Sequence, residues 1–223
     1  MSFSSLILTT SLVVAAAPEG AAAPKATDAS ALATRVQRFY DALEDFQAGF
    51  VQTYTRAALS RTIENSGTIT VKKGGRLHWA YETPVERLFV ADGKTLWVYE
   101  PEEAQVIVER GFSTKQRLGK ALSFLWGEGK LSESFEVQVP SAHPFGKDAA
   151  VLELTPKKDK TFRKLVLHID RKSGQVLASV LHETAGNTNR FDFRNPVVNA
   201  GIPNSKFEFV PPEGVDVVPI SRP

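Results

Sequence analysis

The sequence contains no cysteine among its 223 residues. This absence excludes disulfide bonds, thiolate metal sites and cysteine nucleophiles. It also excludes a lipid-modified amino-terminal cysteine, a common means of tethering an exported bacterial protein to a membrane. Because no second apolar span follows the amino-terminal one, we expect the mature protein to be free in solution.

An excess of charge of one sign is missing as well. Lys and Arg number 27 and Asp and Glu number 25, so the formal net charge is only +2. The chain has neither a clustered basic stripe nor basic residues interleaved with aromatic ones. Its charge pattern therefore argues against nucleic acid as a partner.

Motifs of catalysis and cofactor binding are lacking too. No G-x-S-x-G, phosphate loop or dinucleotide fingerprint occurs, and Gly127–Lys130 is too short for a phosphate loop and lacks its hydroxyl residue. The histidines are scattered one to a predicted element, without metal-ligand spacing: His78, His143, His168 and His182. The sequence therefore predicts a protein that is not an enzyme and that uses no cofactor or metal.

The first residues have the character of an export signal. Ser4 to Ala17 is uncharged and mostly apolar, and it is too short to span a bilayer. Alanine triplets at 15–17 and 21–23 are possible cleavage neighbourhoods, although no basic residue precedes the apolar stretch and a proline follows each triplet. We expect residues 1–27 to be a cleaved signal peptide and low-complexity linker, and 28–223 a single domain. A flexible alanine-rich tail is the alternative.

Apolar periodicity predicts one opening helix and then mostly strands. The helix is indicated by apolar residues at steps of three and four: Leu32, Val36, Phe39, Leu43 and Phe46. A second helix is predicted from about Thr114 to Trp126. Strands are predicted at 50–56, 67–73 and 77–81, on each side of Asp92-Gly93 within Leu88–Val106, and at 106–108, 135–139, 150–154, 164–170, 175–182, 189–194 and 206–210. This is an α+β plan with a mainly antiparallel sheet of roughly ten strands and two or three helices, and large sheets tend to curl.

The most informative segment is Leu88–Val106. Asp92-Gly93 lies between two apolar strands and readily forms a tight hairpin turn. Alternate side chains of Leu96–Tyr99 face opposite ways, yet all of them are apolar or aromatic. Such strands need a cover on both faces, and the chain offers few helices. The sheet is therefore a candidate container for something hydrophobic.

Four segments in register resemble the LolA family, the periplasmic carriers of outer-membrane lipoproteins. Phe50-Val51-Gln52 follows the opening helix, and Gly67 through Trp79 is similar to the family's G-x-L-x-V-x-R-P-x-x-F-x-W. Val90 to Pro101 keeps D-G-K-T-L-W-x-Y-x-P intact. Lys206–Val218 resembles the closing F-x-F-x-P-P-x-G-V. The similarity covers essentially everything after residue 30.

The resemblance implies a fold and a function. The fold is a strongly curved antiparallel sheet that forms an incomplete β-barrel, covered by two or three lid helices around an apolar cavity. The function is that of a soluble periplasmic chaperone that shields the acyl chains of lipoproteins. Such a carrier takes cargo from an inner-membrane ABC-type lipoprotein exporter and delivers it to an outer-membrane lipoprotein receptor. We expect a monomer that uses no nucleotide of its own.

Candidate site residues follow from the apolar pattern and the resemblance together. The expected cavity lining is Ile69, Val71, Leu77, Trp79, Val90 and Trp97, and the expected lid residues are Leu118, Leu122 and Leu125. Ordinary core packing is the alternative for each.

The end of the second predicted strand departs from the family. There, an arginine reaches toward the lid helices and helps to hold the closed state. This chain has Lys73, followed by Gly74 instead of proline. A lysine can bond helix carbonyls but lacks the planar fork of arginine. Lys73 is therefore the candidate latch, and a solvated charge at the rim is the alternative.

Two other functions stay open. A periplasmic sensor module of the same fold could hold a lipid or a peptide and signal through a partner, although such sensors usually carry a further domain. A hydrolase acting on lipid or glycan fits the setting but lacks a nucleophile constellation. The membrane-anchored receptor relatives of the family are disfavoured because the chain has no cysteine.

Overall fold

A computed structural model describes residues 26–113, 130–140, 149–158 and 161–220. Its strands are β1 Asp45–Arg56, β2 Arg61–Lys72, β3 Arg76–Thr83, β4 Arg87–Asp92, β5 Thr95–Glu100, β6 Gln105–Arg110, β7 Phe135–Gln138, β8 Ala149–Pro156, β9 Phe162–Asp170, β10 Val176–Glu183, β11 Thr188–Val198 and β12 Asp216–Pro219. The α-helices are α1 Ala26–Asp41 and the single turn α2 Leu131–Ser134. Short 3-10 helices lie at Ala57–Leu59, Pro101–Glu103 and Asn204–Phe207.

The strands form one sheet with the order β12-β6-β5-β4-β3-β2-β1-β11-β10-β9-β8-β7. Every neighbouring pair is antiparallel except β12 with β6, which is parallel. Within the described residues β7 and β12 are the two edges, so the sheet is open. The predicted α+β plan with a mainly antiparallel sheet is confirmed.

Two aromatic rings show how strongly this sheet curves. Trp79 on β3 and Phe191 on β11 are separated by β2 and β1, yet their ring centroids are 5.5 Å apart. In a flat sheet three strand spacings would separate them by about 14 Å. Their side chains therefore converge on the concave face of a curved sheet. Phe50 on the intervening β1 contacts both rings.

Helix α1 lies over the concave face. Its buried side chains share one core cluster with apolar residues of the sheet: Ala29, Leu32, Ala33, Val36 and Tyr40. Four of the five apolar positions that predicted this helix are buried: Leu32, Val36, Leu43, which follows the end of the helix, and Phe46. Phe46 belongs to β1 instead, since the strand begins at Asp45. No helix in the described part of the chain combines the length and apolarity needed to cross a membrane.

The loop from α1 to β1 is fixed by polar contacts with the segment after β11. The buried carboxylate of Asp45 accepts hydrogen bonds from the backbone N–H groups of Ala200, Gly201 and Ile202, at 2.7, 3.0 and 3.1 Å. The side-chain oxygen of Asn199 accepts from the backbone N–H of Glu44 at 2.8 Å. These bonds anchor the carboxyl end of α1 beside the sheet.

The carboxyl-terminal segment covers part of the outer face. The 3-10 helix Asn204–Phe207 contacts β3 and β4, and Phe207 is fully buried. Phe209 packs against Trp97 and Tyr99, with centroid distances of 6.3 and 5.9 Å. The predicted strand at 206–210 is therefore wrong. Both edges of β3 and β4 are already paired within the sheet, so this segment packs on a face instead of joining as a strand.

The predicted Asp-Gly hairpin is confirmed between β4 and β5. The Asp92 carboxylate accepts hydrogen bonds from the backbone N–H groups of Lys94 and Thr95, both at 2.7 Å. Gly93 has a φ of 99°, a conformation that favours glycine. A side chain there would also collide with the backbone oxygen of Gly74, 2.3 Å from the position of a Cβ.

Candidate functional site

Four of the six residues predicted to line a cavity lie together on the concave face. Ile69 and Val71 of β2 stand directly opposite Trp79 and Leu77 of β3. Residues directly opposite in an antiparallel pair project to the same face. Ile69, Val71 and Leu77 belong to the concave core cluster, and the half-buried Trp79 packs against it.

The other two residues, Val90 and Trp97, are placed on the outer face. Val90 pairs with His78, which alternates with Leu77 and Trp79 and so points the other way. Trp97 pairs with Val90 and contacts Phe209 of the carboxyl-terminal segment. Their assignment to the cavity is therefore corrected. The concave positions of β4 and β5 are Phe89, Ala91, Leu96 and Val98.

A cavity of about 70 Å³ lies between α1 and the concave face. Its walls are almost entirely apolar, and they are formed by Tyr40, Leu43, Phe46, Ile69, Val71, Val176, Ser179 and Phe193. Burial raises the pKa of the Tyr40 phenol far above its usual value, so this group stays neutral. Of these wall residues only Ile69 and Val71 were predicted as lining, because the others come from elements far apart in the sequence that meet only in the fold.

An aromatic cluster continues the concave face beyond this cavity. It consists of Phe50, Trp79, Tyr81, Phe89 and Phe191, with neighbouring ring centroids 5.2 to 6.2 Å apart. All except Phe50 are only half-buried. Burial raises the pKa of Tyr81 to about 12, so its phenol remains a neutral hydrogen-bond donor. The cluster offers an adaptable apolar surface with few polar atoms.

Next to the aromatic cluster, three amide side chains form a row across three strands. The Nδ2 of Asn65 on β2 donates to Oε1 of Gln52 on β1 at 3.1 Å. The Nε2 of Gln52 donates in turn to Oδ1 of Asn189 on β11 at 2.9 Å. We call Asn65, Gln52 and Asn189 the amide row. Gln52 is two residues after Phe50 on β1, so the sequence already predicted that both side chains project to the same face. Only the register of the strands brings Gln52 next to the other two amides.

Lys73 follows the last residue of β2 and reaches the end of α1. Its ammonium donates to the backbone carbonyl of Asp41 at 3.0 Å and to the carboxylate of Glu44 at 2.8 Å. Asp41 is the last residue of α1, where helix carbonyls lack partners within the helix. The predicted lid residues Leu118, Leu122 and Leu125 lie outside the described residues.

Residues 41–210 match the family described as the outer membrane lipoprotein carrier protein LolA. The chain belongs to the LolA family. Among its LolA relatives, the outer-membrane lipoprotein carrier protein of Chromobacterium violaceum is 32% identical over 213 residues, covering 93% of this chain and 95% of that protein. The one from Alcanivorax borkumensis is 33% identical over 177 residues, covering 79% and 82%.

A solved structure supports the fold of this LolA family member independently. An uncharacterized conserved protein from Thermus thermophilus superposes with a TM-score of 0.54, covering 86% of this chain and 98% of that one. The two sequences are 12% identical, so this likeness concerns the fold alone. Curvature, an open sheet and a helix over the concave face thus characterise this LolA family member.

Proposed function

We propose that this protein is a periplasmic lipoprotein carrier that buries the acyl chains of its cargo between α1 and the concave face. The observation that carries the proposal is the apolar concave face, which runs from the cavity beneath α1, at Ile69 and Phe193, to the aromatic cluster. The relatives named as outer-membrane lipoprotein carrier proteins support the same role. A carrier needs no catalytic group.

Hydrophobic burial supplies the right kind of attraction for such cargo. Each methylene removed from water contributes about 0.8 kcal/mol, so one long chain contributes on the order of 10 kcal/mol. The attraction is non-directional and tolerates chains of different length and branching. An aromatic and aliphatic lining with few polar atoms therefore binds acyl chains broadly.

The cavity is far smaller than one acyl chain. A cavity needs roughly 10 to 15 Å³ of this kind of volume for each group the size of a water molecule, so a sixteen-carbon chain needs on the order of 200 Å³. The space beneath α1 measures about 70 Å³. We therefore assign the structure to a closed state and propose that α1 moves away from the sheet when cargo enters. The contact of Lys73 with the end of α1 makes this residue the proposed latch.

The remaining parts of the transport cycle are proposed from the family. Cargo comes from an inner-membrane ABC-type exporter and goes to an outer-membrane receptor. The helix predicted at about 114–126, with Leu118, Leu122 and Leu125, completes the lid. Export to the periplasm relies on the cleaved signal peptide predicted within residues 1–27.

A quenching experiment tests where acyl chains bind. Bromine on an acyl chain quenches a tryptophan only at short range, and the two described tryptophans lie on opposite faces of the sheet. The single-tryptophan variants W97F/W126F and W79F/W126F are titrated with a triacylated lipopeptide whose chains are brominated. Quenching of Trp79 with little effect on Trp97 is expected. Equal quenching of both, or of Trp97 alone, contradicts burial on the concave face.

Recovery of native cargo separates the carrier from its alternatives. Protein purified from its own periplasm and analysed by mass spectrometry should carry triacylated lipoprotein. A lone small lipid would favour the sensor module instead.

A further inference from the structure

We propose that the amide row binds the polar junction of the cargo, meaning the ester and amide carbonyls that join the acyl chains to the first residue of the lipoprotein. This inference rests on the proposed function and deepens it. It assigns separate parts of the concave face to separate parts of one amphipathic ligand. Neither composition nor the apolar pattern of the chain indicated such a division.

The change from apolar to polar is abrupt along the concave face. On β1 the inward positions are Phe46, Ala48 and Phe50, followed directly by Gln52. Successive inward residues of a strand are about 7 Å apart. The amide row therefore begins within one side-chain length of the aromatic cluster. A lipid whose chains lie on Phe50 and Trp79 would bring its carbonyl groups to this boundary.

The row has hydrogen-bonding capacity beyond its own two bonds. A primary amide carries two N–H donors and an oxygen that can accept twice. In the two bonds of the row, Asn65 and Gln52 each use one of their two N–H donors. The same bonds hold the Gln52 amide in a fixed orientation between its neighbours. A preorganised donor loses little entropy when it binds a carbonyl.

An open groove of about 390 Å³ adjoins the row and gives the ligand space. It is lined by Gln52 and Asn65 of the row together with Tyr81, Val85, Arg87 and Phe89. Arg87 pairs with Glu100 at 2.7 Å, so its charge is balanced within the protein. The groove thus combines neutral donors with a neutralised cation. This chemistry suits uncharged ester and amide carbonyls better than a phosphate or a carboxylate.

A further donor lies between the two surfaces. The indole Nε1 of Trp79 is buried and has no hydrogen-bond partner among the described residues. Burying such a donor without a partner is unfavourable, so a carbonyl that reached it on binding would stabilise the complex. Trp79 stacks on Tyr81 at 5.5 Å, which places this group beside the groove.

The test compares ligands that differ only in their carbonyl groups. One is a synthetic lipopeptide with two ester-linked palmitoyl chains on a glyceryl-cysteine. The other carries alkyl chains of the same length that are linked by ethers. The apolar dye N-phenyl-1-naphthylamine, which has no carbonyl, reports the apolar surface alone. The variants are Gln52→Leu and Asn65→Leu. The control is Thr53→Val, which changes a polar residue of β1 on the opposite face.

Removing the carbonyl contacts is expected to reduce affinity about tenfold, since two hydrogen bonds together contribute roughly 1.4 kcal/mol. The native protein should therefore bind the ester form about tenfold tighter than the ether form. Gln52→Leu should abolish this preference, and dye binding should not fall, because the substitution removes no apolar surface. Thr53→Val should behave as the native protein does.

The possible failures have different meanings. An undiminished preference for the ester in both variants overturns the role of the amide row but leaves the carrier function intact. An equal loss of dye and lipopeptide binding, with a lowered unfolding temperature, makes the row a structural feature and likewise overturns the proposal. A native protein that binds the dye and neither lipopeptide overturns the carrier function itself.

Discussion

The ammonium of Lys73 donates a hydrogen bond to the backbone carbonyl of Asp41, with 3.0 Å between Nζ and O. One residue thus joins the end of β2 to the end of the helix that covers the concave face. The same ammonium forms an ion pair with Glu44 at 2.8 Å, although the Glu44 side chain is 66% exposed. Contacts this exposed are weak, about 0 to 1 kcal/mol each, which suits a latch that must open.

Replacing Lys73 should therefore make opening easier without unfolding the protein. Lys73→Met is expected to speed release of a fluorescent lipopeptide up to about fivefold, since about 1 kcal/mol of closed-state stabilisation is lost. Lys73→Arg should slow release, because a guanidinium offers more donors to the helix carbonyls. Stopped-flow release into acceptor vesicles measures both rates.

Lys72 provides a matched control for this prediction. Its ammonium donates to the backbone carbonyl of Ile202 at 2.6 Å and not to a carbonyl of α1. Lys72→Met should leave the release rate unchanged. If Lys73→Met, Lys73→Arg and Lys72→Met all release cargo at the same rate, Lys73 is a solvated charge at the rim and not a latch.

Filling the cavity beneath α1 should weaken cargo binding. Ser179 lines this cavity, so Ser179→Leu is expected to occupy it and to reduce affinity for a triacylated lipopeptide by about tenfold. The unfolding free energy should stay the same or rise slightly, because apolar surface is buried. Val180→Leu, on the same strand but facing outward, should bind as the native protein does. Unchanged affinity in Ser179→Leu would mean that the cavity is core packing alone.

Gly67 permits a close approach of β2 and β3 at the irregularity in their pairing. A Cβ at Gly67 would lie 1.9 Å from the backbone oxygen of Ala80, so Gly67→Ala should cost on the order of 3 kcal/mol of unfolding free energy. Gly49→Ala is the control, since its nearest neighbours would be 3.8 Å away. It should change stability by less than about 1 kcal/mol. Similar urea midpoints for both variants would contradict the tight pairing.

His78 should make stability depend on pH. Burial, and then the charge of Lys206, lower the pKa of His78 below its usual 6.5 in the folded state. The unfolded chain therefore binds more protons, and the unfolding free energy falls as the pH drops from 6.5 toward the folded pKa. His78→Gln should show a smaller loss between pH 7.5 and 5.5. His168 and His182 also have lowered pKa values, so part of the dependence should persist. Identical pH profiles for native protein and variant would remove His78 as a contributor.

Local sequence determined much of this protein because short-range signals agree with one another there. The helical spacing of Leu32, Val36 and Leu43 predicted α1, and Asp92-Gly93 predicted the hairpin. Strand alternation grouped Ile69 with Val71 and Leu77 with Trp79, and the register confirms that these four share a face. Family membership was also evident from four short motifs in order. Each of these features depends on residues close together in the chain.

Tertiary structure decided which apolar face is concave. Alternation separates Trp97 from Leu96, but both are apolar, so the sequence could not say which of them faces α1. That choice depends on pairings across the sheet, from Leu77 to Ala91 and from Ala91 to Leu96. Long-range register likewise brings Asn65, Gln52 and Asn189 into one row and takes Lys73 to the end of α1. The sequence shows how side chains alternate within each strand, whereas the register between strands is set only when distant strands pair.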